Sequence, residues 1–510
     1  MTERRWEIIA TALLWVAVAG LFATWISGAV GPGYGLFRLI PNGYNEGWNA
    51  YWADVAWSGG SLYPAIDSPV SNNYPPVSFY IVGGLGRLLG DNIFAGRLLA
   101  LVSLIVIALD LFVWLRIFTV TRTVAAFGAL LFLAAFAHYA PAYIAMDDPQ
   151  LLAHAFVMTG VVLVWRFDFS RKALVAAAVL MVLGGMVKHL LIALPLTLTV
   201  WIALYRRQQL PMWLIAAVSA VALAVAVVYL TQGEIFFRDL ASSRLYSRQL
   251  VAAGTGRVWR SFGFLLVLST TAALTWLSRF SSRVLREQAG FALLYLVVAG
   301  VIGAFAAGGK GVDRNAFFDL LIAACLAVAI GVEHIRTRPA DESWASGARI
   351  AGAWAPGTGA ALNPVFAAVI ALGCGSVFAT QAVNQWPARW ALIQQTDARE
   401  AAAVEMVDAI RALGGGETAC EELSLCYWAG SAFKVDFFNY GQKLATAALP
   451  AGDCAETFSP QSVALVQVNS PPGDPRLSWR LPQPCNDAIA RVYSPVASTS
   501  TARLMRPVRQ

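Results

Sequence analysis

Long apolar runs alternate with short polar breaks through most of the chain. Runs at 8–30, 93–118, 124–142, 149–166, 173–187, 190–205, 212–230, 259–278, 289–307, 316–334 and 362–382 each read as a helix. A helix needs about 20 apolar residues to cross a ~30 Å hydrocarbon core, and most of these runs approach that length. Residues 173–205 also read as one long hairpin broken in the middle by VKHLL. PPVSFYIVGGLGRLLG (75–90) is short and glycine-interrupted, so it is expected to lie in the interface as an amphipathic helix. The short alternating segments of a membrane β-barrel are missing from the pattern.

From about residue 383 the pattern changes. TDAREAAAVEMVDAIRALGGGE reads as an amphipathic helix with a glycine stop. Strand-like runs follow at SVALVQV (462–468) and IARVYSPV (489–496). The expected fold is a polytopic α-helical membrane protein of about eleven transmembrane helices over 1–382, with a C-terminal extracytoplasmic α/β or α+β domain over 383–510. No internal repeat is visible.

Composition agrees with the pattern. The 510 residues are 58% hydrophobic and 13% charged, about half the charge of a soluble domain. The formal charge of +7 needs no nucleic-acid partner, because its distribution follows the positive-inside rule. Arg4 and Arg5, Arg122, then Arg166, Arg171 and Lys172, then Arg206 and Arg207 fall in alternate breaks. Arg279, Arg283 and Arg286, then Arg336 and Arg338, continue the parity. With a cytoplasmic N-terminus all of them lie inside. The first run has no small-residue cleavage site and reads as a retained span, not a signal peptide. The expected location is the bacterial inner (plasma) membrane, with 342–364 as a cytoplasmic linker.

The same parity places NGYNEGWNAYWADVAWSGGSLYP (42–64), AMDDPQ (145–150), Lys188–His189, 231–258, GGKGVDRN (308–315) and the C-terminal domain on the outer face. That domain holds Cys420, Cys426, Cys454 and Cys485. An oxidising compartment favours disulfides, with three pairings open. A zinc site is the rival, without a CxxC pair or nearby histidine to support it. Cys325 and Cys374 lie inside apolar runs and are expected to stay free.

The outer segments carry the chemistry. Glu46 and Asp54 sit in an aromatic stretch without lysine or arginine. Glu46 reads either as a cap after Asn42 or as a base, and Asp54 as a solvent-facing or capping residue. Tyr44, Trp48, Tyr51, Trp52 and Trp57 suit sugar stacking or interfacial anchoring equally. Asp147 and Asp148 open a helix, where the dipole explains one acid and two invite a cation. Such a divided acidic site can take a proton from an acceptor hydroxyl and hold a divalent metal of unassigned identity at Asp147 and Asp148. Lys188 in apolar surroundings either snorkels to the headgroups or binds an anion. Lys310, Arg314, Arg238, Arg244 and Arg248 add outer positive charge against topogenic bias. Arginine clamps phosphate bidentately and lysine acts as a point charge. Together they suit a phosphate leaving group.

The outer acid after the first run, YPPVSFYIVGGLGRLLGDNIFAGRLLALVS (74–103) and DDP opening an outer helix together resemble the GT-C membrane glycosyltransferases. The branch of bacterial protein O-mannosyltransferases and lipid A aminoarabinose transferases is the most similar. The resemblance covers about residues 35–335. It implies transfer of a hexosyl or pentosyl group from a polyprenyl-phosphate donor to an extracytoplasmic glycan, lipid or protein acceptor, beside membrane lipid. By position, Glu46 matches the family's first-loop acid, the expected base, and Asp147 and Asp148 its second acidic motif. Lys188 and 310–315, with Arg244 nearby in the outer basic set, match donor-phosphate positions. Asn45–Glu46 departs from the Asp–Glu pair of many relatives, which leaves Glu46 open as base, metal ligand or both. The alternatives are a transporter or flippase of a lipid-linked anionic substrate, which tends to show repeats and midplane charges, and a scaffold whose outer domain binds cell-wall material.

Overall fold

The computed structural model describes residues 3–242, 244–279, 283–337, 358–414, 416–450, 452–471, 474 and 479–508. Helices α1 (Glu3–Tyr34), α2 (Tyr44–Ser58), α3 (Val77–Leu89), α4 (Asn92–Ile117), α5 (Arg122–Tyr139), α6 (Gln150–Arg166) and α7 (Arg171–Val187) come first. They continue with α8 (Ala193–Tyr205), α9 (Leu210–Gln232), α10 (Ile235–Leu240), α11 (Arg248–Arg279), α12 (Arg283–Ala306), α13 (Phe318–Thr337) and α14 (Thr358–Gln394). The C-terminal part adds α15 (Thr396–Gly414), β1 (Thr418–Cys420), α16 (Leu423–Trp428), α17 (Phe437–Ala445), α18 (Asp453–Thr457), β2 (Leu465–Val468), α19 (Gln483–Val492), β3 (Tyr493–Ser498) and β4 (Arg503–Pro507).

Every expected apolar run falls in a helix. Among the described residues seven are long and apolar enough to cross a bilayer, namely α1, α4, α5, α9, α12, α13 and α14. Helices α6, α7 and α8 have 17, 17 and 13 residues, short of the ~20 a span needs. They are short because the chain unwinds between α5 and α6 and again between α7 and α8. These two breaks deliver Asp147, Asp148 and Lys188. Helix α11 bends at Phe262, whose φ/ψ leave the helical region. The stretch 75–90 forms the amphipathic α3 as expected. Much of the expected linker 342–364 lies outside the described residues.

Apolar packing holds the helices together around one core, in which α1 runs beside α14 and α5, and α4 beside α6. Helix α14 continues unbroken past residue 382 to Gln394, so no chain break marks the expected domain boundary. The C-terminal domain is a four-stranded mixed sheet of order β1-β2-β4-β3, with β1/β2 parallel and β2/β4 and β4/β3 antiparallel. Residues 489–492, expected as strand, finish α19 because that helix buries Cys485, Ala488 and Ile489 at helical spacing.

The aromatic stretch after α1 is α2, and it is the joint between the two parts. Trp48, Tyr51 and Trp52 are buried with Leu423, Met406 and Leu465 of the C-terminal domain. Tyr51 stacks on Phe433 at 4.8 Å and donates to the Ser431 carbonyl at 2.8 Å. Trp48 Nε1 donates to Asp436 at 2.9 Å. Burial explains these three aromatics and removes them as sugar-stacking surfaces. Asp54 accepts from Asn92 of α4 at 2.6 Å, tying α2 to the helical core.

Two disulfides, Cys420–Cys426 and Cys454–Cys485, settle the pairing, and Cys325 and Cys374 are free and buried. Closing loops of this size stabilises a small domain by about 2–4 kcal/mol. Thiol counting by intact mass under denaturing conditions is expected to give two free thiols without reductant and all six cysteines with it. Four additional free thiols in unreduced protein would remove the disulfides.

Candidate active site

Gly43 precedes the first turn of α2, and Glu46 lies inside that turn. An acid here meets the positive end of the helix dipole, and Glu46 Oε2 accepts from the Asn42 N–H at 2.9 Å. The capping role expected from the sequence is therefore real. A second role outweighs it. Arg97, six residues into α4, grips Glu46 bidentately, with Nε to Oε1 and Nη2 to Oε2 both at 2.7 Å. Both side chains have 0% exposure. The remaining guanidinium hydrogens bind the carbonyls of Gly35, Leu36, Arg38 and Ile40. The pair thus holds the return of the chain from α1 to α2. Arg97 was not singled out from sequence. Its signal was a lone arginine in an apolar helix, within the FAGRL stretch, where an unpaired charge is costly.

The second acidic pair packs against the first. The Asp147 N–H donates to Glu46 Oε1 at 3.3 Å, and Asn49 Nδ2 donates to the Asp147 carbonyl at 2.7 Å. Asp147 Oδ2 is buried without a partner. Its approach depends on Gly96, where an added Cβ would stand 1.9 Å from Asp147 Oδ1. Burial, then Glu46 and Asp148, push the Asp147 carboxyl well above the usual range.

Asp148 has a different environment. Its Oδ1 accepts from Lys188 Nζ at 3.3 Å and from the Gln150 N–H at 2.9 Å, and its Oδ2 accepts from Asn45 Nδ2 at 3.0 Å. Asn45 thus supplies a neutral donor to Asp148. Lys188 leaves α7 in an extended conformation, which turns its side chain inward, with Nζ 4.6 Å from the Tyr74 ring centroid. Burial depresses the Lys188 ammonium, but Asp148 and Tyr74 outweigh it and the net shift is upward. The structure brings Asp148 and Lys188 together from 40 residues apart.

Arg244 and Lys310 are also brought together. A bridge between Tyr246 and Gly309 joins their loops, and the Lys310 N–H donates to the Leu245 carbonyl at 2.8 Å. Their cations rest on the C-terminal domain, Arg244 5.6 Å from the Phe438 ring and Lys310 5.9 Å from that of Trp479. His189 beside Lys188 is pushed down to about 4 by burial, then by Lys188 and Arg244, which links this basic group to the Asp148–Lys188 pair. Arg314 is turned elsewhere and donates to the Tyr139 carbonyl.

The C-terminal domain closes over the acids. A Cβ on Gly47 would lie 2.2 Å from Ser424 N, so the glycine after Glu46 lets the start of α16 sit directly on α2. Glu422, at that start, is pushed up to about 7, chiefly by burial, with Arg480 lowering it and Glu46 raising it.

These residues do not fit a divalent metal. Among the described residues no three His, Cys, Asp or Glu side chains converge to hold one. Asp148 is already engaged by Lys188 and Asn45, and burial raises the Asp147 carboxyl, which disfavours its charged form. What the arrangement offers is a carboxylate for a proton, an ammonium for an anion, and a buried ion pair that holds both in place.

No family model and no curated protein matches the chain in sequence. Solved structures match its fold. ArnT from Cupriavidus metallidurans bound to undecaprenyl phosphate aligns over 98% of both chains, with TM-score 0.57 and 14% identity. The oligosaccharyltransferase AglB from Archaeoglobus fulgidus, in complex with an inhibitory peptide and a dolichol-phosphate, aligns over 96% of this chain and 74% of its own, with TM-score 0.52 and 12% identity. A complex of the Archaeoglobus fulgidus enzyme with Zn and sulfate aligns over 95% and 71%, with TM-score 0.53 and 12% identity. The chain shares the fold of these solved structures.

Proposed function

We propose that this protein is a glycosyltransferase that moves a sugar from a polyprenyl-phosphate donor to an acceptor hydroxyl outside the cytoplasm. The observation that carries the reading is the buried Asp148–Lys188 pair, beside the Glu46–Arg97 pair, in the fold of proteins solved with polyprenyl phosphates. Without donor, Lys188 neutralises Asp148. A donor phosphate competes for the ammonium and leaves Asp148 as an unpaired carboxylate beside the anomeric carbon. The acceptor hydroxyl then loses its proton to Asp148 as its oxygen bonds to that carbon. The bond to phosphate breaks, and Lys188, with Arg244 and Lys310 at the rim, stabilises the departing polyprenyl phosphate. A single displacement of this kind inverts the anomeric centre.

Glu46, the base expected from its position, is assigned a holding role in this scheme. Both of its oxygens are engaged by Arg97 in a buried bidentate pair.

Replacing Lys188 with Met is expected to weaken binding of a synthetic polyprenyl-phosphate sugar by about 10- to 100-fold, since a hydrogen bond to a charged group contributes ~1.5–3 kcal/mol. Equilibrium binding to the purified, monodisperse variant measures this. A loss confined to acceptor affinity would remove Lys188 from the phosphate role.

The scheme also places α2 and the C-terminal domain together outside a bacterial inner membrane, with eleven crossings and a cytoplasmic N-terminus. Cysteines introduced at the exposed Ser58 and Ser500 are expected to react with an impermeant maleimide in spheroplasts. One at the exposed Gln208 is expected to react only after lysis. Labelling of one outer position without the other contradicts the shared side.

A further inference from the structure

Away from the acids, an open groove of about 570 Å³ lies where the ends of α4, α5 and α6 meet, lined by Phe112, Val113, Arg116, Ile117, Arg122 and Arg166. Arg97 and Arg116 are nineteen residues apart on α4, roughly 30 Å along a helix axis. That distance is about one hydrocarbon thickness, so the groove sits at the opposite headgroup level from the acidic site.

Arg116, Arg122 and Arg166 are exposed, and among the described residues none has a carboxylate within ion-pair distance. Asp168, two residues beyond Arg166, is exposed and forms no ion pair with it among the described residues, and two other acids are engaged elsewhere. Asp110 accepts from Thr159 at 2.7 Å, and Glu333 binds Arg336 and Thr121. Helix dipoles account for Arg116 and Arg166, each in the last turn of its helix. They do not account for Arg122, which opens α5, where the dipole disfavours a cation. Three guanidiniums from three helices therefore surround a space with an apolar floor. On α4, Val102, Ile105, Leu109 and Val113 form an exposed apolar stripe leading away from it.

We propose that this groove binds one anionic glycerophospholipid, its phosphate among Arg116, Arg122 and Arg166 and an acyl chain along the α4 stripe. The charge complementarity selects a lipid with net negative charge over a zwitterionic one, because three guanidiniums without a carboxylate partner leave no anion for a choline group. One of them, Arg116, also donates to the Val120 carbonyl. The inference rests on the membrane-spanning reading of α4 and is independent of the transferase reaction.

The test is native mass spectrometry of the purified full-length protein titrated with phosphatidylglycerol and with phosphatidylcholine of the same acyl chains. Wild type is expected to retain phosphatidylglycerol about tenfold or more over phosphatidylcholine, given ~1 kcal/mol per basic residue near an anionic surface. Arg116→Gln/Arg166→Gln should bring the ratio close to one. Arg171→Gln/Lys172→Gln removes the same charge from exposed positions at the start of α7 and should leave the ratio unchanged. Arg122→Gln, at an exposed site whose side chain makes no hydrogen bond among the described residues, supplies a variant that folds whatever the fate of the double substitution. It should lower the preference about fivefold. Absence of preference in wild type, or equal loss in the groove and α7 variants, overturns the proposal in favour of diffuse surface charge.

Discussion

Asp148→Asn is expected to lower sugar transfer by about 10²–10⁴-fold, the usual contribution of a positioned general base, in a protein that still folds. The amide keeps the shape of the carboxylate and can still accept from Lys188 and the Gln150 N–H. The buried Lys188 ammonium loses its counter-charge, so the variant is expected to be less stable and turnover is compared per monodisperse, folded protein. It cannot accept the proton of the acceptor. Donor binding should persist, because Lys188 no longer has a carboxylate competing with the phosphate. Turnover of a labelled synthetic donor by purified variants, read beside donor affinity, separates the two effects. Asp148→Asn with wild-type turnover would refute Asp148 as the base. Asp147→Asn is the informative companion, since burial already disfavours the charged form of that carboxyl and an amide should cost much less turnover there than at Asp148.

Breaking the pair beneath the site is expected to show up as stability. Arg97→Met or Glu46→Gln leaves one buried charge without its partner, at a cost of about 3–5 kcal/mol. For Arg97 the carbonyls of Gly35, Leu36, Arg38 and Ile40 also lose their donors. Either variant should unfold at markedly lower temperature in detergent, with activity falling in step with the folded fraction. The double variant Glu46→Gln/Arg97→Met should regain part of the loss, since removing both charges takes away the desolvation penalty. Glu46→Gln that is fully stable and inactive would return the catalytic role to Glu46.

Periodicity and charge were sufficient to locate the helices, because a chain with few charges and repeated apolar runs has to bury its backbone in helices to live in a bilayer. The amphipathic α3 and the cysteine-bearing sheet domain were legible for the same local reason, a change of period and composition. The candidate site residues were legible as residue types in the polar breaks: Glu46, Asp147, Asp148, Lys188, Arg244 and Lys310. Their partners were not. Arg97 meets Glu46 across 51 residues, Asn45 meets Asp148 across 103, and the start of α16 reaches Gly47 from the far end of the chain. A carboxylate is a base, a cap or half of an ion pair according to what stands within 3 Å of it. That distance belongs to packing, which local sequence does not encode. The sequence determined by itself that this protein is a bundle of apolar helices with acids and bases in the polar breaks between them. Tertiary structure alone decided which acid is locked by arginine, which is buried without a side-chain partner and which faces the lysine, because each outcome depends on burial and on a neighbour brought from a distant helix.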